Sequence, residues 1–168
     1  MQNNYFTRML APFFNIDRLN FMDNYTTPAD ALHSKVILVT GAGDGIGRCA
    51  ALTYAKYGAS VILLGRTVKK LEAVYDEIIA AGGPEPAIVP LALKGATASH
   101  YKDMATTIER EFGKLDGVLH NAGLLGVLSP FEHINLASWQ DIMQINVTSA
   151  MLMTQALMPV LKKAPAAS

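Results

Sequence analysis

This sequence is poor in the features that would build a metal site, a disulfide framework or a polyanion-binding surface. Cys49 is the single cysteine among 168 residues. It cannot form an intramolecular disulfide, and nothing points to an oxidising compartment. Neither C-x-x-C nor H-E-x-x-H spacing occurs among Cys49, His33, His100, His120 and His133, so no metal centre is expected. Fourteen Lys+Arg balance fourteen Asp+Glu, so no global basic field draws the chain to nucleic acid. No apolar run approaches the roughly 18 residues of a membrane span, and no basic n-region with a long apolar stretch opens the chain. The default expectation is therefore a cytoplasmic protein without a membrane span. What is plentiful is apolar side chain: 51% of residues, against 17% charged. That composition is enough for one globular domain with a substantial core.

Residues 1–34 differ from the rest. Tyr5, Phe6, Phe13, Phe14, Phe21 and Tyr25 are six of only thirteen aromatics in the chain, and their spacing follows neither a helical nor a strand period. The segment reads as an arm, either an ordinary tail or translated upstream sequence with Met22 as the natural start; a membrane-touching or partner-binding role is the alternative. Thr26 to Asp30 lead into the domain as a linker.

From Lys35 the grammar becomes regular. Val36 to Thr40, Val61 to Leu64, Ile88 to Leu91 and Leu115 to Leu119 are continuous apolar runs, as expected of parallel strands covered on both faces. Between them lie three helical stripes: Ile46, Cys49, Ala50, Thr53 and Tyr57; Leu71, Val74, Ile78 and Ile79; and Met104, Ile108 and Phe112. A last helical stretch begins at Trp139, Ile142, Met143, Ile145 and Val147. It carries Met151, Met153 and Met158 before Pro159, a stripe that suits a core or a subunit interface. This order predicts an α/β fold with a doubly wound parallel sheet of about four strands and crossover helices over residues 35–168.

The strongest local signal is Thr40-Gly41-Ala42-Gly43-Asp44-Gly45-Ile46-Gly47, directly after the first strand and opening the first helix. Glycines let the backbone turn tightly and approach a ligand closely, while the helix N-terminus attracts a pyrophosphate. A Walker A loop does not fit, because Arg48 and Cys49 stand where Lys and Ser/Thr are needed. The G-x-G-x-x-G spacing is absent too. The pattern present is T-G-x-x-x-G-I-G.

That loop resembles the cofactor loop of the short-chain dehydrogenase/reductase family. The resemblance continues at Asn121-Ala122-Gly123 after the fourth strand and at Asn146 in the last helical stretch. It covers about Lys35 to Lys163, and the combination VTGAGDGIGR, ILLGR, LDGVLHNAGLLG and WQDIMQINV looks particularly like the YciK-type bacterial branch. The resemblance implies a Rossmann-like fold, a nicotinamide cofactor and reversible hydride transfer between alcohol and carbonyl. It assigns cofactor contacts to Thr40, Gly41, Asp44, Gly45, Ile46, Gly47, Asn121, Ala122 and Gly123. It also makes Asn146 the one member of the catalytic set present here.

Cofactor choice turns on the end of the second strand, where an Asp or Glu would bind the ribose 2′-hydroxyl of NAD. Gly65 and Arg66 occupy that place. A guanidinium pairs with a 2′-phosphate that a carboxylate would repel, so NADP is expected over NAD, with Lys69 and Lys70 adding positive charge nearby. Asp44 points the other way unless it caps the helix. Two departures from the family pattern stand out. Ala92 sits where relatives carry an adenine-facing Asp, and no Tyr-x-x-x-Lys or preceding catalytic Ser is found.

The chain therefore reads as the N-terminal portion of an NADP-dependent oxidoreductase, ending before the catalytic Tyr/Lys segment and inactive alone. A small carbonyl or alcohol would be the substrate only of a complete enzyme. Leu124, Leu125 and Leu128 suggest an apolar wall. A homo-oligomer is expected, because the fourth strand has an unprotected edge and the last helix an uncovered face. A non-catalytic dinucleotide-binding module and an interaction protein are the competing readings.

Overall fold

The computed structural model describes residues 26–168, so the aromatic arm and Met22 lie outside the described residues. The sheet holds four parallel strands in the order β3-β2-β1-β4: β1 (Val36–Thr40), β2 (Ser60–Gly65), β3 (Ala87–Pro90) and β4 (Gly117–Leu119). Leu38 of β1 lies between Ile62 of β2 and Val118 of β4. The expected doubly wound sheet is present. β3 begins one residue earlier than the apolar run indicated, and β4 is reduced to three residues. Leu115 and Asp116, although buried, precede the ladder.

Helices α1 (Gly45–Lys56) and α2 (Val68–Ala80) cover one face, while α3 (Ala98–Phe112) and α5 (Ser149–Leu161) cover the other. Strand β2 shows why its sequence is apolar throughout. Val61 and Leu63 point into the α1/α2 core, Ile62 and Leu64 into the α3/α5 core, and all four are fully buried. Between α3 and α5 the chain passes through β4, a long loop, the short helix α4 (Leu136–Met143) and one π-helical turn at Gln144–Thr148.

The stripes expected on α2 and α3 match the buried Leu71, Val74 and Ile78, and Met104 and Ile108; Ile79 instead faces outward. The stripe expected on α1 is wrong. Ile46 is 79% exposed, Cys49 and Thr53 are exposed, and the buried residues are Gly47, Ala51 and Ala55. The helix packs through its smallest residues because its first turn lies against the glycine loop. The Met stripe also divides: Met153 is buried, while Met151 and Met158 are open.

The last turn before β1 is docked onto the domain. The amide of Leu32 donates to the carbonyl of Tyr57 at 3.0 Å, and Leu32 packs against the α1/α2 core. At the opposite edge, β4 is not left open. The backbone of Ser168 donates to Asp116 O at 3.1 Å and accepts from Val118 N at 3.0 Å.

Candidate functional site

From β1 the chain winds outward through β2 to β3, then returns to the other side of β1 as β4. Strand order thus reverses between β1 and β4, and at such a switch the loops leaving the carboxyl ends diverge and open a crevice. A cleft of about 550 Å³ lies there, within the usual range for small-molecule sites. Its wall is built from the glycine loop, the end of β2, the segment after β3 and the loop after β4.

Thr40 ties two of these together. Its buried hydroxyl accepts the amides of Asn121 and Ala122, each at 3.0 Å, and donates to Leu119 O at 3.2 Å. Asn121 Nδ2 returns a bond to Thr40 O at 3.0 Å. One hydroxyl therefore satisfies three backbone groups where β4 ends. Next to it, His120 hydrogen-bonds the Thr154 hydroxyl of α5 at 2.9 Å, and desolvation holds its imidazole below the ordinary value.

Glycine is required twice in the loop for different reasons. A Cβ on Gly47 would fall on the carbonyl oxygen of Gly41 and 2.5 Å from Asn121 Nδ2. Only glycine lets α1 start that close to β4. Gly45 has φ +51 but nothing within 4 Å of a would-be Cβ, so its neighbourhood is open space in front of the helix N-terminus. A dinucleotide fits this arrangement: open room faces first-turn amides that have no intrahelical acceptor.

The structure separates the expected contacts into two groups. Gly41, Asp44, Arg66, Asn121, Ala122 and Gly123 line the cleft directly. Thr40, Gly45, Ile46 and Gly47 do not; Thr40 and Gly47 support the wall from behind, and the Ile46 side chain points to solvent. Asn146 is also outside the lining. It sits in the π turn and clamps Leu124 of the cleft wall, while its neighbour Ile145 reaches the cleft itself.

Three cations line the cleft. Lys70 Nζ contacts Asp44 Oδ2 at 2.6 Å, and Lys94 Nζ contacts Asp141 Oδ2 at 2.7 Å. Among the described residues, the exposed guanidinium of Arg66 has no hydrogen-bonding or ionic partner. Asp44 does cap α1, accepting the Gly45 amide at 2.8 Å. The Lys70 hydrogen bond, more than the Gly45 amide, holds its carboxyl below the usual range.

Sequence reasoning missed Lys94 and the two ion pairs. Lys94 follows β3 in a single 3₁₀ turn (Leu93–Gly95), where nothing in its neighbours marks it as cleft-facing. Ala92 lines the cleft. No tyrosine among the described residues reaches it. Tyr101, fully buried under α5, is pushed up in pKa by that burial.

A family model for short chain dehydrogenases matches residues 35–168. The chain is 48% identical over 145 residues to the oxidoreductase YciK of Escherichia coli K12, covering 86% of this chain and 58% of that protein. Two solved structures are similarly near. A short-chain dehydrogenase from Shigella flexneri 2a complexed with NADP superposes with a TM-score of 0.81 at 48% identity, covering 83% of this chain and 59% of that one. Another from E. coli CFT073 complexed with NADPH gives 0.82 at 48%, covering 84% and 59%. The chain thus spans less than two thirds of the length of these relatives.

Proposed function

We propose, from the premise that this chain belongs to the short-chain dehydrogenase family, that residues 35–168 form the NADP(H)-binding part of an oxidoreductase acting between alcohols and carbonyls. The observation that carries the cofactor assignment is Arg66. It is the one cation on the cleft wall without a carboxylate partner among the described residues, and it stands at the end of β2 where an NAD site places a ribose-binding acid. The two neighbours complexed with NADP and NADPH agree with this assignment.

When bound, the nicotinamide would supply or accept the hydride. The chain's own residues would do the holding. The first turn of α1 would face the pyrophosphate and Arg66 would hold the 2′-phosphate, while Asn121 to Gly123, fixed by Thr40, would form the wall toward the riboses. Asn146 keeps that wall in place through Leu124. The 168 residues contain no Tyr-x-x-x-Lys, so no side chain here provides the usual proton donor to a developing alkoxide. We read the 168-residue chain as one that binds cofactor without turnover, as a cytoplasmic protein, and as self-associating.

Fluorescence titration with NADPH and NADH tests the assignment. The chain should favour the phosphorylated cofactor, and Arg66→Glu should bring the ratio of the two affinities to about one or below, since the substitution replaces a phosphate ligand by a like charge. Equal affinities unchanged by the substitution would overturn it.

A further inference from the structure

Helix α4 is held to the domain by very little. Among the described residues none of its eight side chains is buried, and Leu136 and Trp139 stand 69% and 49% exposed. Ile142 lies on Gly126, but that glycine belongs to the long loop whose Leu125, Val127 and Leu128 are themselves exposed. The tie to the body of the domain is ionic: Lys94 Nζ meets Asp141 Oδ2 at 2.7 Å. Lys94 is fixed at its base, because its 3₁₀ turn starts at the buried Leu93 and is followed by the buried Ala96. A second bond, from Gln144 Nε2 to Ala96 O, is long at 3.4 Å. Asp141, Gln144 and Ile145 are spaced i, i+3 and i+4, and so share one helical face. Ile145 on that face lines the cleft, as does Lys94. The next residue, Asn146, clamps Leu124 of the same wall.

We propose that Lys94 is a positioning residue of the cleft: through Asp141 it docks α4 on the segment after β3, and so sets Ile145 and the Asn146–Leu124 clamp in the cleft wall. Its side chain acts through the helix and not on the ligand. The pair is exposed, 66% for Lys94 and 34% for Asp141, and such pairs are weak. A weak tie is decisive here, because a helix without buried side chains has little else to oppose local opening. Salt screens the pair, so α4 should loosen as ionic strength rises.

The test uses the full chain, dilute enough that sedimentation no longer changes on dilution. Hydrogen exchange and acrylamide quenching of Trp139 read docking without any ligand. Lys94→Met and Asp141→Asn should each speed exchange of the α4 amides and of the Leu124 amide by about two- to fivefold, and raise the quenching of Trp139. The double variant should go no further, because both substitutions act on one contact. Reversed charges, Lys94→Asp with Asp141→Lys, should restore the starting values to within about twofold. The urea midpoint should stay constant throughout, since the opening is local. NADPH titration then separates positioning from direct contact, and this arm rests on the cofactor reading above. Asp141→Asn leaves Lys94 in the cleft with its charge free. Positioning predicts that affinity falls by about two- to fivefold; a ligand contact by Lys94 predicts unchanged or tighter binding, which would overturn the inference. Unaltered exchange and quenching in Lys94→Met, or no rescue by the reversed pair, would overturn it as well. If the starting chain binds no NADPH, the cofactor reading fails, while exchange and quenching still decide whether Lys94 docks α4 and sets the Leu124 wall.

Discussion

Asn146 grips the backbone of Leu124 from both sides: its Oδ1 accepts the Leu124 amide at 2.8 Å, and its Nδ2 donates to the Leu124 carbonyl at 3.0 Å. The residue expected on family grounds to belong to a catalytic set thus has a positioning role in its side chain. It lies in the π turn that links α4 to α5, and such turns leave the i→i−4 ladder locally broken and often mark functional segments. Asn146→Ala should release the loop after β4 at a cost of about 1 kcal/mol, because both bonds are exposed. Hydrogen exchange at the Leu124 amide should accelerate while the amides of β1 keep their protection.

The two glycines of the loop should respond differently to alanine. Gly47→Ala places a methyl against Gly41 O and Asn121 Nδ2, and backbone on one side leaves no room to yield. A loss of about 3 kcal/mol or more, with failure of nucleotide binding, is expected. Gly45→Ala meets no atom within 4 Å but must hold φ +51, which costs roughly 1–2 kcal/mol. Urea melts of the two variants check the order.

The contrast shows what a sequence can and cannot carry. β2 was legible because a strand buried on both faces has to be apolar at every position, and Val61 to Leu64 are. The cleft loop was legible because T-G-x-x-x-G-I-G has meaning only between a strand and a helix, which is where it lies. The stripe Ile46, Cys49, Ala50, Thr53 and Tyr57 expected on α1 is not its packing face. Contact with the glycine loop instead selects Gly47, Ala51 and Ala55, whose small size carries little hydrophobic signal. Lys70–Asp44 is 26 residues apart in sequence. No local pattern encodes such a pair, since it arises only when the first turn of α2 is laid beside the start of α1.

Ala92 gives a gain-of-function test. It is exposed and lines the cleft after β3, and a carboxylate there could accept a hydrogen bond from the adenine amino group. Ala92→Asp should tighten nucleotide binding by about 0.5–1.5 kcal/mol. Weaker binding by calorimetry would show that the base is held elsewhere.

Acid stability should depend on Asp116. Burial pushes its carboxyl upward, but bonds from Lys114 at 2.9 Å, the Val36 amide at 3.0 Å and Lys35 at 3.1 Å outweigh that and leave it lowered. A depressed folded-state value means the ionised form stabilises the fold. The contribution is complete above the unfolded carboxylate value of about 4 and disappears as pH falls through the lower folded value. Asp116→Asn should therefore be less stable than the parent at pH 7, with the gap closing as pH drops below about 4. A gap that stays constant through this range would assign the effect to packing.

The last expectation concerns the surface around the long loop. Leu125, Val127, Leu128 and Phe131 are each 79–86% exposed, and Leu136, Trp139, Val147 and Met151 continue the apolar surface along α4 and into α5. Apolar patches of this extent on a lone chain favour association. The outer edge of β4 contributes less than its sequence suggests, because Ser168 already pairs with Asp116 and Val118. Association should therefore run through the loop and helix face rather than through strand addition. Trp139 is the only tryptophan and is 49% exposed, so its emission reports on that face directly. Concentration-dependent sedimentation with a blue shift at Trp139 is expected, and Leu128→Glu with Phe131→Glu should suppress both. A monomer at all concentrations, with unshifted emission, would show that this face remains in water.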